Sequence, residues 1–181
     1  GVVGLEAAWE LKKYGCDVTV LEAMPALMAN KLDPTASSML QTLFEEGGVK
    51  ILAGAQTDRY EDGAIYLKDG TVLPAEVVVV SCGVRANGQL AAEAGAELNK
   101  AIVVNERMET NLPDVYAAGD CVEFQGVNYA LWPEASRQGD VAGANAAGDS
   151  LTFAAEIYGM SMEVVERSLY TIGKAAGPEP F

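Results

Sequence analysis

Residues 1–23, GVVGLEAAWELKKYGCDVTVLEA, decide how the chain begins to fold. After Gly4, Ala8 and Leu11 recur at the spacing of one helical face, and the small members of that face permit close packing on a sheet. Gly15 is placed to end this helix. The next stretch, CDVTVLE at 16–22, is rich in β-branched residues and ends in an acid, which predicts a strand. Two glycines three residues apart at the head of a helix form the back half of the pattern G-x-G-x-x-G. In that pattern the backbone N–H groups of the helix start hold a pyrophosphate. Gly1 takes the place of the second glycine and Gly4 that of the third.

Glu22 falls about 20 residues further on, where a carboxylate at a strand end can accept hydrogen bonds from ribose hydroxyls. The same carboxylate repels a 2′-phosphate. The residues that follow, AMPALMAN at 23–30, contain no arginine or lysine to attract one. The expected dinucleotide is therefore NAD rather than NADP.

Further along, Asp33-Pro34 predicts an N-cap followed by proline in the first helical position. The helix it opens carries Met39, Leu40, Leu43 and Phe44 and stops at Gly47-Gly48. VKILAG (49–54) predicts a short strand, and AIYLKDGTVLPAE (64–76) a hairpin turning at Asp69-Gly70. The run VVVVSCG (77–83) predicts a strand buried on both faces. Strands and helices in this order argue for an α/β fold with a doubly wound parallel sheet.

A second section begins near Val84-Arg85-Ala86-Asn87. A helix is expected in GQLAAEAGAEL (88–98), and short strands joined by a proline turn in AIVVNERMETNLPDVYAAGD (101–120). WPEASRQGDVAGANAAGD (132–149) predicts a helix with Ala135, Gly139, Ala142 and Ala146 along one face. From Leu151 onward the pattern changes to strands broken at Gly159.

Composition narrows the function. The 181 residues carry a net charge of −14, which opposes binding to nucleic acid and to anionic lipid. Half of the chain is hydrophobic, enough for a packed core, yet no stretch is apolar for long enough to span a membrane. Cys16, Cys82 and Cys121 lie far apart with no C-x-x-C pair, so neither a disulfide framework nor a zinc knuckle is expected, and a reducing cytoplasm fits. The chain has no histidine, which removes Ser-His and Cys-His catalysis from it. No catalytic side chain and no metal site are expected.

Four stretches in order, GVVGLEAAWEL, VVVVSCGVRAN, TNLPDVYAAGDCVEF and WPEASRQGDVAGANAAG, resemble the FAD-dependent pyridine nucleotide-disulfide oxidoreductase family. The likeness is nearest to its NADH oxidases, rubredoxin reductases and the flavin part of assimilatory nitrite reductases. It runs from Gly1 to about Gly148. The resemblance implies a Rossmann-like NAD-binding domain at 1–84 and a returning segment of a flavin-binding, Rossmann-like domain at 85–150. Residues 151–181 would start a C-terminal interface domain or form a tail.

The resemblance also implies roles. Gly1 and Gly4 would contact the NAD pyrophosphate, Glu22 the adenosine ribose, and Glu6 the nicotinamide carboxamide. Cys82-Gly83 would form a turn beside the nicotinamide. Asp120 would bind the flavin ribityl hydroxyls with Gly119 allowing close approach, and Leu131-Trp132 would lie beside the isoalloxazine ring. Each has a plainer alternative. Glu6 could be a first-turn acid favouring the helix dipole, Cys82 and Cys121 small packing residues, Asp120 a turn former and Trp132 part of the core.

The implied activity is hydride transfer from NADH to FAD and onward to an electron acceptor, a small molecule or small redox protein. The alternative is a sensor or interaction module that binds NAD or FAD without turnover. The chain is expected to be a piece of a longer flavoprotein, inactive alone, that lacks the first strand of its NAD domain. Pairing with a second copy in a homodimer is one way to cover the sheet edges so exposed.

Overall fold

A computed structural model describes residues 1–157 and 159–173. Two compact units divide the chain, one formed by Gly1–Cys82 with the stretch from Ile157 onward, the other by Gly83–Glu156.

In the first unit, helix α1 spans Val2–Lys13 and buries Leu5 and Ala8. It closes in a Schellman arrangement: the Cys16 N–H donates to Leu11 O, the Gly15 N–H donates to Lys12 O, and Gly15 takes φ +85°. Strand β1 (Thr19–Glu22) follows and pairs in parallel with β2 (Lys50–Ala53), Glu22 standing opposite Ala53. Between them runs α2 (Pro34–Glu46). Its N-cap Asp33 accepts the Ala36 N–H at 2.8 Å, and the left-handed Gly48 ends it as Gly15 ends α1. The helix start, the Gly47-Gly48 stop, both strands and the Asp69-Gly70 hairpin match the sequence reading.

An antiparallel meander follows: β3 (Thr57–Glu61), β4 (Ala64–Leu67) and β5 (Val72–Pro74). β3 has no counterpart in the sequence reading, and the reason is physical. Every residue of β3 is exposed, so TDRYE shows no apolar alternation. It is held by pairing with β4 and by Arg59, which bonds Asp58 and Glu61 while lying 4.0 Å from the centre of the Tyr66 ring.

The valine run corrects the sequence reading. Residues 77–80 form no ladder among the described residues, and Val77 and Val80 are 78% and 79% exposed. A strand interior to a parallel sheet needs a hydrogen-bonded neighbour on each edge and cover on each face, and this run has neither within the unit. The tail departs as well. Gly159 does not break a strand but opens β8 (Gly159–Val164), which pairs antiparallel with β9 (Arg167–Ile172) around Val165-Glu166, both at positive φ. Met162 and Val164 of this hairpin join Leu5, Leu27, Leu40, Phe44 and Ile51 in the core of the first unit.

The second unit contains the short helix α3 (Gln89–Glu93), a parallel pair β6 (Ile102–Val104) and β7 (Val122–Phe124), and helix α4 (Trp132–Ala146). Its core joins Ile102, Val104, Met108, Val122, Phe124, Val141 and Phe153, with the Phe124 and Phe153 rings edge to face at 5.2 Å. The small-residue face expected on α4 is only partly buried, Ala142 being covered and Ala135 half-covered. Gly139 and Ala146 face solvent, and the helix buries Glu134, Gln138, Val141, Ala142 and Asn145.

In both units helices cover a parallel strand pair, an α/β arrangement. Among the described residues no helix is long and apolar enough to cross a membrane, and no cluster of His, Cys, Asp or Glu could hold a metal ion.

Candidate nucleotide sites

The N-termini of the two helices of the first unit differ in one respect that matters. At α2 the N-terminal donors are met by the Asp33 carboxylate. At α1 the N-cap is Gly1, no side chain caps the helix, and its first turn carries no acid. No side chain among the described residues accepts from the backbone N–H groups that open α1, and no acid in its first turn offsets the helix dipole. Gly1 is exposed, and a Cβ there would meet nothing within 4 Å. Gly4 is needed for a different reason: a Cβ would come within 3.1 Å of the Ser81 Cβ, so glycine lets the first turn lie against the chain at Ser81. Cys82, the next residue, is exposed, which overturns its reading as a small buried residue.

Glu22 sits at the C-terminal end of β1. Leu5 and Val20 share the core, so α1 lies along β1 and the short turn between them makes the two run in opposite directions. The Glu22 carboxylate accepts the Met24 N–H at 2.9 Å, which orients it at a half-buried position. Glu6 lies in the second turn, because α1 starts at Val2; it is no first-turn acid.

In the second unit Gly83 takes φ +85°. Gly119 takes φ +87°, and a Cβ on it would lie 3.6 Å from the Ala135 Cβ, so the first turn of α4 stands directly behind it. Asp120 is exposed, and its carboxylate has no partner among the described residues; a plain turn former would use it on its own backbone. Leu131 is the extended N-cap of α4, and Trp132 is 88% exposed, so Trp132 is not core. Gly119, Asp120, Leu131 and Trp132 thus gather around one helix start. Cys121 is half-buried, with Sγ 3.3 Å from Ala118 O, a packing position.

Sequence reasoning missed the polar residues that hold this turn. The Gly119 N–H donates to Gln138 Oε1 at 2.8 Å, and Asn128 Nδ2 donates to both Asp120 O and Val122 O at 2.8 Å. Glu134, fully buried, accepts the Glu156 N–H at 2.9 Å and pairs with Arg137. Asn145 donates to Arg107 O and Leu151 O and accepts the Leu151 N–H. The available signal was three polar residues, at 134, 138 and 145, on the face that also carries Val141 and Ala142.

Parallel strand pairs under helices, with a glycine at the N-cap of α1 and the left-handed Gly119 against the first turn of α4, fit a Rossmann-like class of nucleotide-binding fold. Residues 1–139 match the family model described as pyridine nucleotide-disulphide oxidoreductase, and the chain belongs to that family. It is 42% identical over 137 residues to a nitrite reductase [NAD(P)H] of Bacillus subtilis, covering 72% of this chain and 17% of that protein. It is 38% identical over 164 residues to an NADH oxidase of Methanocaldococcus jannaschii, covering 84% of this chain and 36% of the relative. A crystal structure of an FAD-dependent pyridine nucleotide-disulphide oxidoreductase from Desulfovibrio vulgaris superimposes with a TM-score of 0.86 at 32% identity, over 96% of this chain and 47% of that one. The chain thus spans well under half the length of the curated relatives it matches.

Proposed function

We propose that the chain forms the NAD-binding domain and the returning flavin-domain segment of a flavoprotein oxidoreductase that takes hydride from NADH to FAD. Electrons then pass to a further acceptor, a small molecule or small redox protein. The observation that carries this reading is the start of α1, opened by glycine and free of first-turn acids, together with Glu22 at the C-terminal end of β1. Such an end accepts a pyrophosphate, and a strand-end carboxylate accepts ribose hydroxyls. No cation stands between Glu22 and Lys31, which favours NAD over NADP.

The residues fit the two coenzymes in distinct ways. Gly1 and Gly4 let the backbone approach the NAD pyrophosphate, and Glu22 orients the adenosine ribose. Glu6, on the next turn of α1, and the Cys82-Gly83 turn belong to the nicotinamide end. Asp120, exposed and unpartnered in the second unit, offers two acceptor oxygens to the ribityl hydroxyls, and Gly119 keeps that approach open. Leu131 and Trp132 provide an apolar wall at the start of α4. When bound, the coenzymes supply the hydride and electron chemistry. The protein's part is to bind and orient, which suits a chain without histidine.

The test is NADH-driven ferricyanide reduction by the whole protein. Glu22→Ala should raise the KM for NADH about 10-fold or more, the loss expected of a charge-assisted hydrogen bond, with kcat little changed. Absence of ferricyanide reduction by the flavin-loaded protein would refute the reading.

A further inference from the structure

We propose that Gln138 is a positioning residue of the flavin site: its side-chain oxygen holds the Gly119 N–H and so sets the turn from which Asp120 presents its carboxylate. The proposal rests on the assignment of Asp120 to the flavin made above. Gln138 is 2% exposed, on the buried face of α4, where an apolar side chain would avoid the cost of burying an amide. Its oxygen accepts the Gly119 N–H at 2.8 Å across 19 residues of sequence. Because a backbone N–H can only donate, the amide oxygen must face the turn.

The surroundings show what that bond accomplishes. The Gly119 carbonyl accepts the Val122 N–H at 3.1 Å, and the Asp120 carbonyl accepts Asn128 Nδ2 at 2.8 Å. Gln138 holds the Ala118–Gly119 peptide while Asn128 holds the Asp120–Cys121 peptide, and the Asp120 carboxylate between them engages nothing among the described residues. Asp33 and Asp69 behave differently: each spends its carboxylate on a nearby backbone N–H, of Ala36 and of Thr71. At 119–121 side chains from other elements fix the backbone, and the aspartate is left open. Gly119 at φ +87° gives the turn a conformation other residues rarely adopt, so a distant acceptor has a definite geometry to hold.

The test uses the whole protein and three variants: Q138M, which keeps the length and removes the acceptor, Q138E, which keeps an acceptor oxygen, and D120A. FAD dissociation constants come from fluorescence titration of the apoprotein, and Gly119 amide exchange from NMR. D120A and Q138M should each weaken FAD about 10-fold, equivalent to about 1.4 kcal/mol. Q138E should stay within about threefold of the parent on the same scale. The Gly119 amide should exchange faster in apo-Q138M, and the double variant Q138M/D120A should bind FAD no more weakly than D120A, since both act through one group.

If D120A weakens FAD and Q138M does not, the proposal falls and the flavin assignment of Asp120 stands. If D120A leaves the affinity unchanged, that assignment itself falls. Additive losses in the double variant, or failure of both Gln138 variants to fold, would make Gln138 a packing residue and overturn the proposal.

Discussion

One substitution, glycine to alanine, should act with opposite signs at two positions of the second unit. At Gly119 the backbone sits at φ +87°, while the added Cβ would lie 3.6 Å from the Ala135 Cβ, an ordinary contact. The cost is therefore conformational, about 1–2 kcal/mol for an L-residue in the left-handed region. At Gly139, inside α4, the added Cβ meets nothing within 4 Å. Alanine there should stabilise by about 0.5–1 kcal/mol, because glycine loses more backbone freedom in a helix. Urea unfolding followed by circular dichroism should separate the two variants by ~1.5–3 kcal/mol, with the parent between them. A stable Gly119→Ala would mean that the turn is not left-handed. A destabilised Gly139→Ala would mean that the face of α4 bearing Gly139 is covered rather than open.

Three further outcomes follow from local chemistry. Asp33→Ala removes the cap that accepts the Ala36 N–H and should cost about 1 kcal/mol, with Asp33→Asn recovering most of it; equal losses in both would show that the cap is not the cause. The Asp69 carboxyl is held below the usual aspartate range, first by the Thr71 N–H and then by the Thr71 hydroxyl. A lowered folded-state pKa means that this contribution to the hairpin is fully present above the pKa of an unfolded aspartate and is lost as pH falls through the lower, folded value. NMR titration of Asp69 at or above the ordinary value would contradict this. Titration with a thiol reagent should find Cys16 and Cys82 fast and Cys121 slow, following their exposure, and a slow Cys82 would mean that its turn is covered.

Local signals were legible wherever one segment contains its own cause. Asp33-Pro34 opens α2 by capping chemistry within four residues, and Gly15 and Gly48 close two helices by supplying the left-handed residue each stop requires. The four ordered motifs likewise led to the family, each being contiguous in sequence. β3 was not legible, since its five exposed residues are a strand only by virtue of β4. Val77 and Val80 misled in the opposite direction, because β-branched residues state a preference for an extended backbone and not what lies on either side of it.

The sequence by itself determined where α1, α2 and α4 lie and how α1 and α2 stop. These are matters of backbone conformation and bonds a few residues long. Only tertiary structure decided that Gln138, Glu134 and Asn145 are fasteners rather than surface residues of α4. Their partners, Gly119, Glu156, Arg107 and Leu151, come from elsewhere in the chain, and a buried polar group takes its meaning from the partner that satisfies it.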